Sequence, residues 1–168
     1  MKKIFALVLG VMAFMGVASA QNYMVVDSEK IFKSISEYNA ALTQLDNLAK
    51  SYQQQVDAKY AQVEALYNAY QQQKANLSAA GRAMRENEIL EKESETVKYQ
   101  ESIFGNEGTM MKKRIELIQP IQERVFKAIE AYAKENGFDM VLDIASNATM
   151  LYYSPKVDRT EAVIKLVK

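Results

Sequence analysis

Apolar side chains recur at alternating steps of four and three from Ile31 to Leu77, which is the spacing of a coiled-coil core. Neither Gly nor Pro occurs between Asp27 and Ala80, and Ala, Gln, Leu, Lys and Glu, all compatible with helix, dominate this stretch. Asp27 or Ser28 can cap its start, because a side-chain oxygen there accepts free N–H groups of the first turn. The pattern predicts one long helix that ends at the turn signal of residues 76–81.

A second stretch, from about Arg82 to Glu135, has the same alternation, and Asn136-Gly137 is a common helix stop. If the chain turns at Ala80, residues whose numbers sum to 160 face one another. This pairing matches apolar residues with apolar ones and polar interruptions with polar ones: Val56–Phe104, Val63–Val97, Tyr70–Leu90, Lys59–Glu101 and Gln73–Asn87. We therefore predict an antiparallel two-helix coiled-coil arm, about 75 Å long at 1.5 Å per residue.

Two features weaken the second predicted helix. Pro120 removes the hydrogen bond to the carbonyl of Glu116, which predicts a kink. Gly105 and Gly108 lower the helix propensity halfway along. The glycines have two interpretations: Gly108 makes room for the bulky Tyr52 opposite, or the pair forms a bend that lets the arm flex.

Strand-like runs of β-branched and aromatic residues lie at both ends of the chain, at residues 23–26, 138–144 and 150–153, the last two joined by a turn at Ser146-Asn147. Asp158 to Lys168 predicts a terminal amphipathic helix that Asp158 caps, with four residues facing inward: Ala162, Val163, Leu166 and Val167. Three short strands are marginal alone, and oligomerisation would supply the missing core. We therefore predict an α+β fold, mostly α, in which the coiled-coil arm (residues 31–136, tip near 78–82) projects from a small β body (residues 21–30 and 137–168).

The first twenty residues have the pattern of a secretory signal peptide. Lys2 and Lys3 precede an apolar run from Ile4 to Val17, and residues 18–20 form an A-x-A site, so we expect cleavage after Ala20. A membrane anchor is the alternative, but the apolar run is shorter than the roughly 20 residues that span a bilayer. We expect an exported, soluble mature chain with a net charge of −2.

The chain contains no Cys, His or Trp. It therefore has no thiol nucleophile, no imidazole base and no ordinary zinc, haem or iron–sulfur site. The sequence also shows no Gly-rich phosphate loop, no paired carboxylates in a plausible cleft and no strongly basic stripe of the kind that binds nucleic acid. We expect no enzymatic activity, no metal, no cofactor and no nucleic-acid partner.

Five further apolar residues lie beside the predicted core positions. Ile103, Met110 and Leu117 recur every seven residues on the second helix, and Tyr60 and Tyr67 do so on the first. They either broaden the hairpin core or form a soft apolar binding surface, since Tyr and Met adapt to varied partners. Under the second interpretation, these five side chains are the candidate binding residues.

The order of these segments resembles the Skp/OmpH family of periplasmic chaperones. The likeness covers essentially the whole mature chain; its specific parts are the end segments, above all F-D-M-V-L-D-I at 138–144 and D-R-T-E-A-V-I-K at 158–165, while the arm matches only in pattern. The resemblance implies a homotrimer, in which strands from both chain ends form the β body and three helical hairpins surround a cavity. It also implies that the protein holds unfolded outer-membrane proteins in the periplasm without ATP, and the five candidate residues would then bind these clients.

One departure from the family concerns charge. The best-known members carry strongly basic arms, whereas residues 28–136 contain 15 basic and 16 acidic side chains, and seven of the acidic ones lie between Glu86 and Glu107. Contact with lipopolysaccharide or anionic lipid is therefore doubtful, and we expect client capture to depend more on apolar and hydrogen-bonding contacts. The alternative to a holdase is an envelope coiled-coil adaptor that binds one folded partner.

Overall fold

The structure is a computed structural model that describes residues 22–145 and 150–168. The predicted signal peptide and the predicted turn at Ser146-Asn147 lie outside these ranges. The described elements, in chain order, are β1 (Tyr23–Val26), α1 (Ser28–Lys33), α2 (Ser36–Gln73), a 3-10 turn (Lys74–Asn76), α3 (Ala79–Phe104), α4 (Thr109–Glu135), β2 (Met140–Asp143), a second 3-10 turn (Pro155–Val157) and α5 (Thr160–Val167). They form two compact units, one made of residues 22–34 with Arg124–Lys168 and the other of Ile35–Glu123.

The first predicted helix is divided in two. Asp27 caps α1 as expected, since its side chain accepts a hydrogen bond from the backbone N–H of Lys30 at 3.0 Å. The C-cap of this helix is Ser34, whose hydroxyl donates to the carbonyl of Ile31 at 2.7 Å. The backbone N–H of Ser34 also donates to carbonyl groups of the last turn. Ile35 has extended backbone angles, and α2 begins at Ser36. A serine that hydrogen-bonds its own preceding turn competes with helix continuation, which explains the break.

The second predicted helix is interrupted between Phe104 and Thr109. Gly105 is extended (φ −65°, ψ 170°), and a Cβ atom there would lie 2.5 Å from the carbonyl oxygen of Glu101. At Gly108 a Cβ atom would lie 2.6 Å from the carbonyl oxygen of Ile103. The glycines therefore permit a close approach of backbone to backbone at this break. Beyond the break, α4 runs through Pro120 without interruption.

The sheet contains one strand from each end of the chain. β1 pairs in parallel with β2, and the register aligns Tyr23 with Met140 and Val26 with Asp143. The other edge of β1 is occupied by the segment before α5, because the N–H of Arg159 donates to the carbonyl of Val25 at 2.9 Å. Met24, Val25 and Val26 are consequently 0–2 % exposed. Parallel strands need a long connection, and the helices between β1 and β2 provide it.

The predicted strand at 150–153 is absent from the structure, where these residues have no regular secondary structure. Leu151 and Tyr152 are 96 % and 83 % exposed. Strand propensity alone does not make a strand, because the backbone also needs a hydrogen-bonded neighbour. Both edges of β1 are already taken, and within residues 22–145 and 150–168 no further strand lies beside this segment.

The terminal helix packs through a slightly different face from the predicted one. Val163 and Val167 are buried as expected, but Ile164 is 8 % exposed, whereas Leu166 is 57 % exposed. The prediction that Leu166 faces inward is therefore wrong, and Ile164 takes that place. Asp158 does support the start of α5, since its carboxylate accepts the N–H of Thr160 at 2.8 Å.

The hydroxyl of Thr160 joins the two ends of the chain. This side chain is 3 % exposed, and its Oγ1 accepts the backbone N–H of Asp27 at 2.9 Å, across 133 residues of sequence. We expect Thr160→Val, which keeps the shape but removes the acceptor, to lower the free energy of unfolding by about 1–3 kcal/mol, because the Asp27 N–H is left unpaired. Urea unfolding followed by far-ultraviolet circular dichroism measures this effect.

Thr43→Val provides the matched control for that substitution. Thr43 is exposed, and its hydroxyl only donates to the carbonyl of Asn39 within α2. We expect this variant to unfold within about 0.5 kcal/mol of the parent, as most surface substitutions do. Equal losses in the two variants would contradict a specific role for the Thr160 hydroxyl.

Candidate functional site

The hairpin in the Ile35–Glu123 unit turns earlier than the sequence pattern predicted. The 3-10 turn of Lys74–Asn76 follows α2 directly, and Ser78 caps α3 by accepting the N–H of Gly81 at 3.2 Å. Gly81 thus lies inside the first turn of α3 and does not form the tip. The predicted tip near 78–82 is wrong by about four residues, because a serine at this position starts a helix more readily than it ends a turn.

This earlier turn changes which face of α3 is buried. Thr96 and Ile103 are 3 % and 6 % exposed, whereas Leu90 and Val97 are 60 % and 48 % exposed. The inward residues of α3 therefore lie one position before the predicted ones. One residue along a helix corresponds to a rotation of about 100°, so the predicted pairing with a sum of 160 placed the wrong face inside.

On the first helix of the hairpin, the predicted core positions are largely correct. Leu45, Val56 and Tyr70 are 9 %, 1 % and 5 % exposed, although Leu42 is 42 % exposed. Leu66, Ala69, Tyr70 and Gln73 enclose a cavity of about 250 Å³ with residues of α3, which are Arg85, Glu88 and Ile89. The antiparallel hairpin of two helices is therefore as predicted, with a different register.

Three tyrosines on the two helices donate hydrogen bonds across the hairpin. The hydroxyl of Tyr60 donates to Gln100 at 2.9 Å, and that of Tyr99 donates to Gln55 at 2.6 Å. The third is Tyr70, which donates to the carboxylate of Glu86. This bond to a carboxylate, followed by desolvation, raises the pKa of Tyr70 above its ordinary value, so the phenol keeps its proton as donor.

The structure separates the five predicted binding residues. Tyr60 and Tyr67 are 40 % and 50 % exposed and remain available to a partner. Met110 and Leu117 are half-buried. Ile103 is buried in the hairpin, so it cannot contact a partner while the hairpin keeps this packing. For Ile103, the alternative that it belongs to the hairpin core is the correct one; for the other four, a binding role remains a prediction.

Another row of apolar residues on α3 is exposed, whereas the candidate binding residue Ile103 is buried. We call this row the α3 stripe; its members are Leu90, Val97 and Phe104, which recur every seven residues and are 60 %, 48 % and 39 % exposed. Met111 continues the interval beyond the break and is 43 % exposed. The sequence pattern had singled out all four, but as core positions, and only the burial in the structure identifies them as surface.

Grooves connect the α3 stripe with neighbouring side chains of α2 and α4. Leu90 lines a groove of about 410 Å³ together with Tyr67. At the other end of the stripe, Phe104 lines a cavity of about 420 Å³ with Leu42 and Met110. Two of the predicted binding residues, Tyr67 and Met110, therefore adjoin the α3 stripe. Together they form an apolar surface along one side of the hairpin.

Charged residues of both signs line the grooves beside this surface, with Lys74 and Glu86 near Leu90 and with Asp46 and Arg114 near Phe104. On the opposite side of α3, two acidic residues form ion pairs. Lys92 lies 2.7 Å from Glu95, and this hydrogen bond and charge lower the pKa of the Glu95 carboxyl. Arg85 pairs with Glu88 at 2.7 Å. Within the described ranges, no group of three or more acidic side chains could hold a metal ion. No helix among the described residues is long and apolar enough to cross a membrane.

The part of the chain that contains the sheet, the hairpin and the terminal helix matches a known family. Residues 22–167 match the family model described as outer membrane protein (OmpH-like). The chain belongs to the OmpH-like family. The match extends over nearly all of the chain that the structure describes and includes both the sheet and the hairpin, so the resemblance to Skp/OmpH proteins is confirmed.

Individual relatives of the chain are distant but match over most of their length. The chain is 26 % identical to the chaperone protein Skp of Yersinia enterocolitica over 150 residues, which are 89 % of this chain and 87 % of that protein. It is 26 % identical to the chaperone protein Skp of Photorhabdus laumondii over 153 residues, 91 % and 89 % of the two chains. An uncharacterized protein of Aquifex aeolicus is 27 % identical over 165 residues, 98 % and 95 % of the two chains.

Proposed function

We propose that this protein is an ATP-independent holdase chaperone of the periplasm, which binds unfolded outer-membrane proteins and prevents their aggregation on the way to the outer membrane. The observation that carries the proposal is the α3 stripe, an apolar surface with Leu90, Val97 and Phe104 39–60 % exposed on a two-helix hairpin. Large exposed apolar patches on a folded protein mark interaction sites. The family membership and the name of two relatives, chaperone protein Skp, support the same function.

A dispersed apolar surface suits an unfolded client better than a folded one. Leucine, valine, phenylalanine, methionine and tyrosine side chains adapt to many sequences, because apolar contact is not directional. Each contact is weak, but contacts along the hairpin add up through high effective concentration. Release then requires no nucleotide, because a client that folds elsewhere no longer exposes the apolar segments.

The proposal includes a homotrimer with the hairpins around a shared cavity. Its support in the described chain is the small sheet, which has two strands, beside the exposed Leu151 and Tyr152. Such a sheet is marginal on its own, and a neighbouring chain would cover these side chains. Periplasmic location is supported by the signal-peptide pattern of residues 1–20 and by the family.

An aggregation assay tests the proposal. A β-barrel outer-membrane protein unfolded in urea is diluted into buffer without ATP, and light scattering is recorded with increasing amounts of the purified protein. We expect scattering to fall severalfold near one trimer per client, with no further change when ATP is added. Undiminished scattering at a severalfold excess would overturn the holdase function, provided that circular dichroism shows the protein to be helical.

Variants of the α3 stripe relate that activity to the surface. Leu90→Ser alone is expected to retain most of the suppression, since many contacts share the binding energy, while Leu90→Ser/Val97→Ser/Phe104→Ser loses most of it. An adaptor for one folded partner, the alternative suggested by the sequence, would show no suppression by the parent protein. Full activity of the triple variant would place the client-binding surface elsewhere.

A further inference from the structure

Acidic and apolar residues alternate along the exposed face of α3. Glu93 lies between Leu90 and Val97, and Glu101 lies between Val97 and Phe104, at steps of three and four residues. Residues at such steps share one side of a helix. All of these side chains are exposed, so a partner that covers the α3 stripe must also cover the two carboxylates.

These two carboxylates have no cationic partner among the residues that the structure describes. Two acidic residues on the other side of α3 do have such partners, since Glu88 pairs with Arg85 and Glu95 pairs with Lys92. Glu93 and Glu101 therefore present unneutralised negative charge beside apolar surface. The position of these two carboxylates among the apolar residues of the α3 stripe is the feature that indicates what kind of partner fits.

We propose that the α3 stripe with Glu93 and Glu101 selects cationic amphipathic segments, in which Lys or Arg residues are interleaved with apolar ones. This inference rests on the proposed function and names the chemistry of the client segments that the arm prefers. Covering the stripe removes water from the carboxylates, which is costly for a charge without a partner. A cationic segment supplies the partner, whereas an anionic segment brings like charges together.

The side chains around the stripe fit such a segment as well. The aliphatic stems of Lys and Arg cover apolar surface while their charged ends reach a carboxylate. Tyr67 lines the groove beside Leu90 and is half exposed, so its ring is available to a cation, which aromatic faces attract. The same hairpin already contains a contact of this type, because the ammonium of Lys59 lies 4.9 Å from the ring centre of Tyr99.

Three labelled peptides test the selectivity. They share length and apolar positions, and the remaining positions hold Lys, Gln or Glu. Fluorescence anisotropy with the full purified protein is expected to show that the Lys peptide binds about tenfold more tightly than the Glu peptide at low salt, as two surface ion pairs would give. High salt is expected to remove most of that preference. Equal affinity for the Lys and Glu peptides would overturn the inference.

Matched charge variants separate this face from the net charge of the protein. Glu93→Gln/Glu101→Gln is expected to reduce the preference for the Lys peptide to about twofold, because the two carboxylates that form the ion pairs are gone. The control is Glu64→Gln/Glu91→Gln, which changes the net charge equally; Glu64 is an exposed residue of α2, and Glu91 lies away from the stripe on α3. An equal reduction in both variants would mean that the charge acts without a defined site, and would overturn the inference.

Two comparisons keep this inference distinct from the proposed function. Suppression of aggregation without any peptide preference would leave the chaperone function standing and overturn the selectivity. A clear preference without suppression would support the selectivity and overturn the chaperone function. A further experiment asks whether a second copy of the chain covers the α3 stripe. If Leu90→Ser/Val97→Ser forms a smaller assembly than the parent protein in analytical ultracentrifugation, the stripe is an interface between copies. That result would overturn the docking of clients there.

Discussion

Replacing Ile103 with alanine is expected to lower the free energy of unfolding of the hairpin by about 2–4 kcal/mol, the usual cost of a large-to-small substitution in a core. Ile103 is 6 % exposed and belongs to the buried face of α3. The loss combines the transfer of apolar atoms to water with the cavity that remains. Urea unfolding followed by the helical signal in circular dichroism measures it.

Leu90→Ala is the control that makes this result specific to the register. Leu90 lies on the same helix but is 60 % exposed, so we expect a loss below about 1 kcal/mol. The pairing predicted from the sequence, with Leu90 facing Tyr70, requires the opposite order of the two effects. A larger loss for Leu90→Ala than for Ile103→Ala would therefore contradict the observed packing of α3.

The second large effect is expected at the break between α3 and α4. A Cβ atom on Gly108 would lie 2.6 Å from the carbonyl oxygen of Ile103 and 2.8 Å from its carbonyl carbon. Backbone atoms cannot move aside as the end of a flexible side chain can. Gly108→Ala is therefore expected to lower the free energy of unfolding by about 1–3 kcal/mol, the range found for overpacked sites.

Gly81→Ala is the matched control for that substitution. Gly81 lies in the first turn of α3, and the nearest atom to an added Cβ is the Ser78 hydroxyl oxygen at 3.4 Å. Because alanine favours helix over glycine by about 1 kcal/mol, this variant is expected to be as stable as the parent or more stable. A stabilising Gly108→Ala would show that the chain can run as continuous helix through the break, contrary to the structure. Both variants are compared by urea unfolding.

The two ends of the chain show which elements a local sequence pattern is sufficient to predict. β1 at Tyr23–Val26 and the terminal helix follow from β-branched and amphipathic runs. Asp27 is the cap that the sequence predicts, whereas Asp158 lies one residue before the N-cap Arg159 and accepts the N–H of Thr160. The run at 150–153 has the same strand composition, yet it is not a strand. The difference is the presence of a hydrogen-bonding neighbour, which depends on segments far away in sequence.

The hairpin shows the same limit for the candidate site. A sustained interval of three and four residues suffices to predict two helices, since it repeats the helical period many times. On α3, two neighbouring rows of residues are almost equally compatible with that period. They are Leu90–Val97–Phe104 and, one residue earlier, Ile89–Thr96–Ile103. The first is the more apolar row, and the sequence pattern predicts it as the core, whereas the structure buries Thr96 and Ile103 of the second row and leaves the first exposed.

The sequence by itself determined the helical hairpin between strand-forming ends, the absence of thiol and imidazole chemistry, and the acidic character of residues 86–107. These properties depend on composition and on periods that repeat within one element. The tertiary structure alone decided where the chain turns and therefore which side of α3 is buried. Successive residues lie about 100° apart around a helix. Because α3 begins at the Ser78 cap, earlier than the sequence pattern predicts, the α3 stripe is exposed surface and not core.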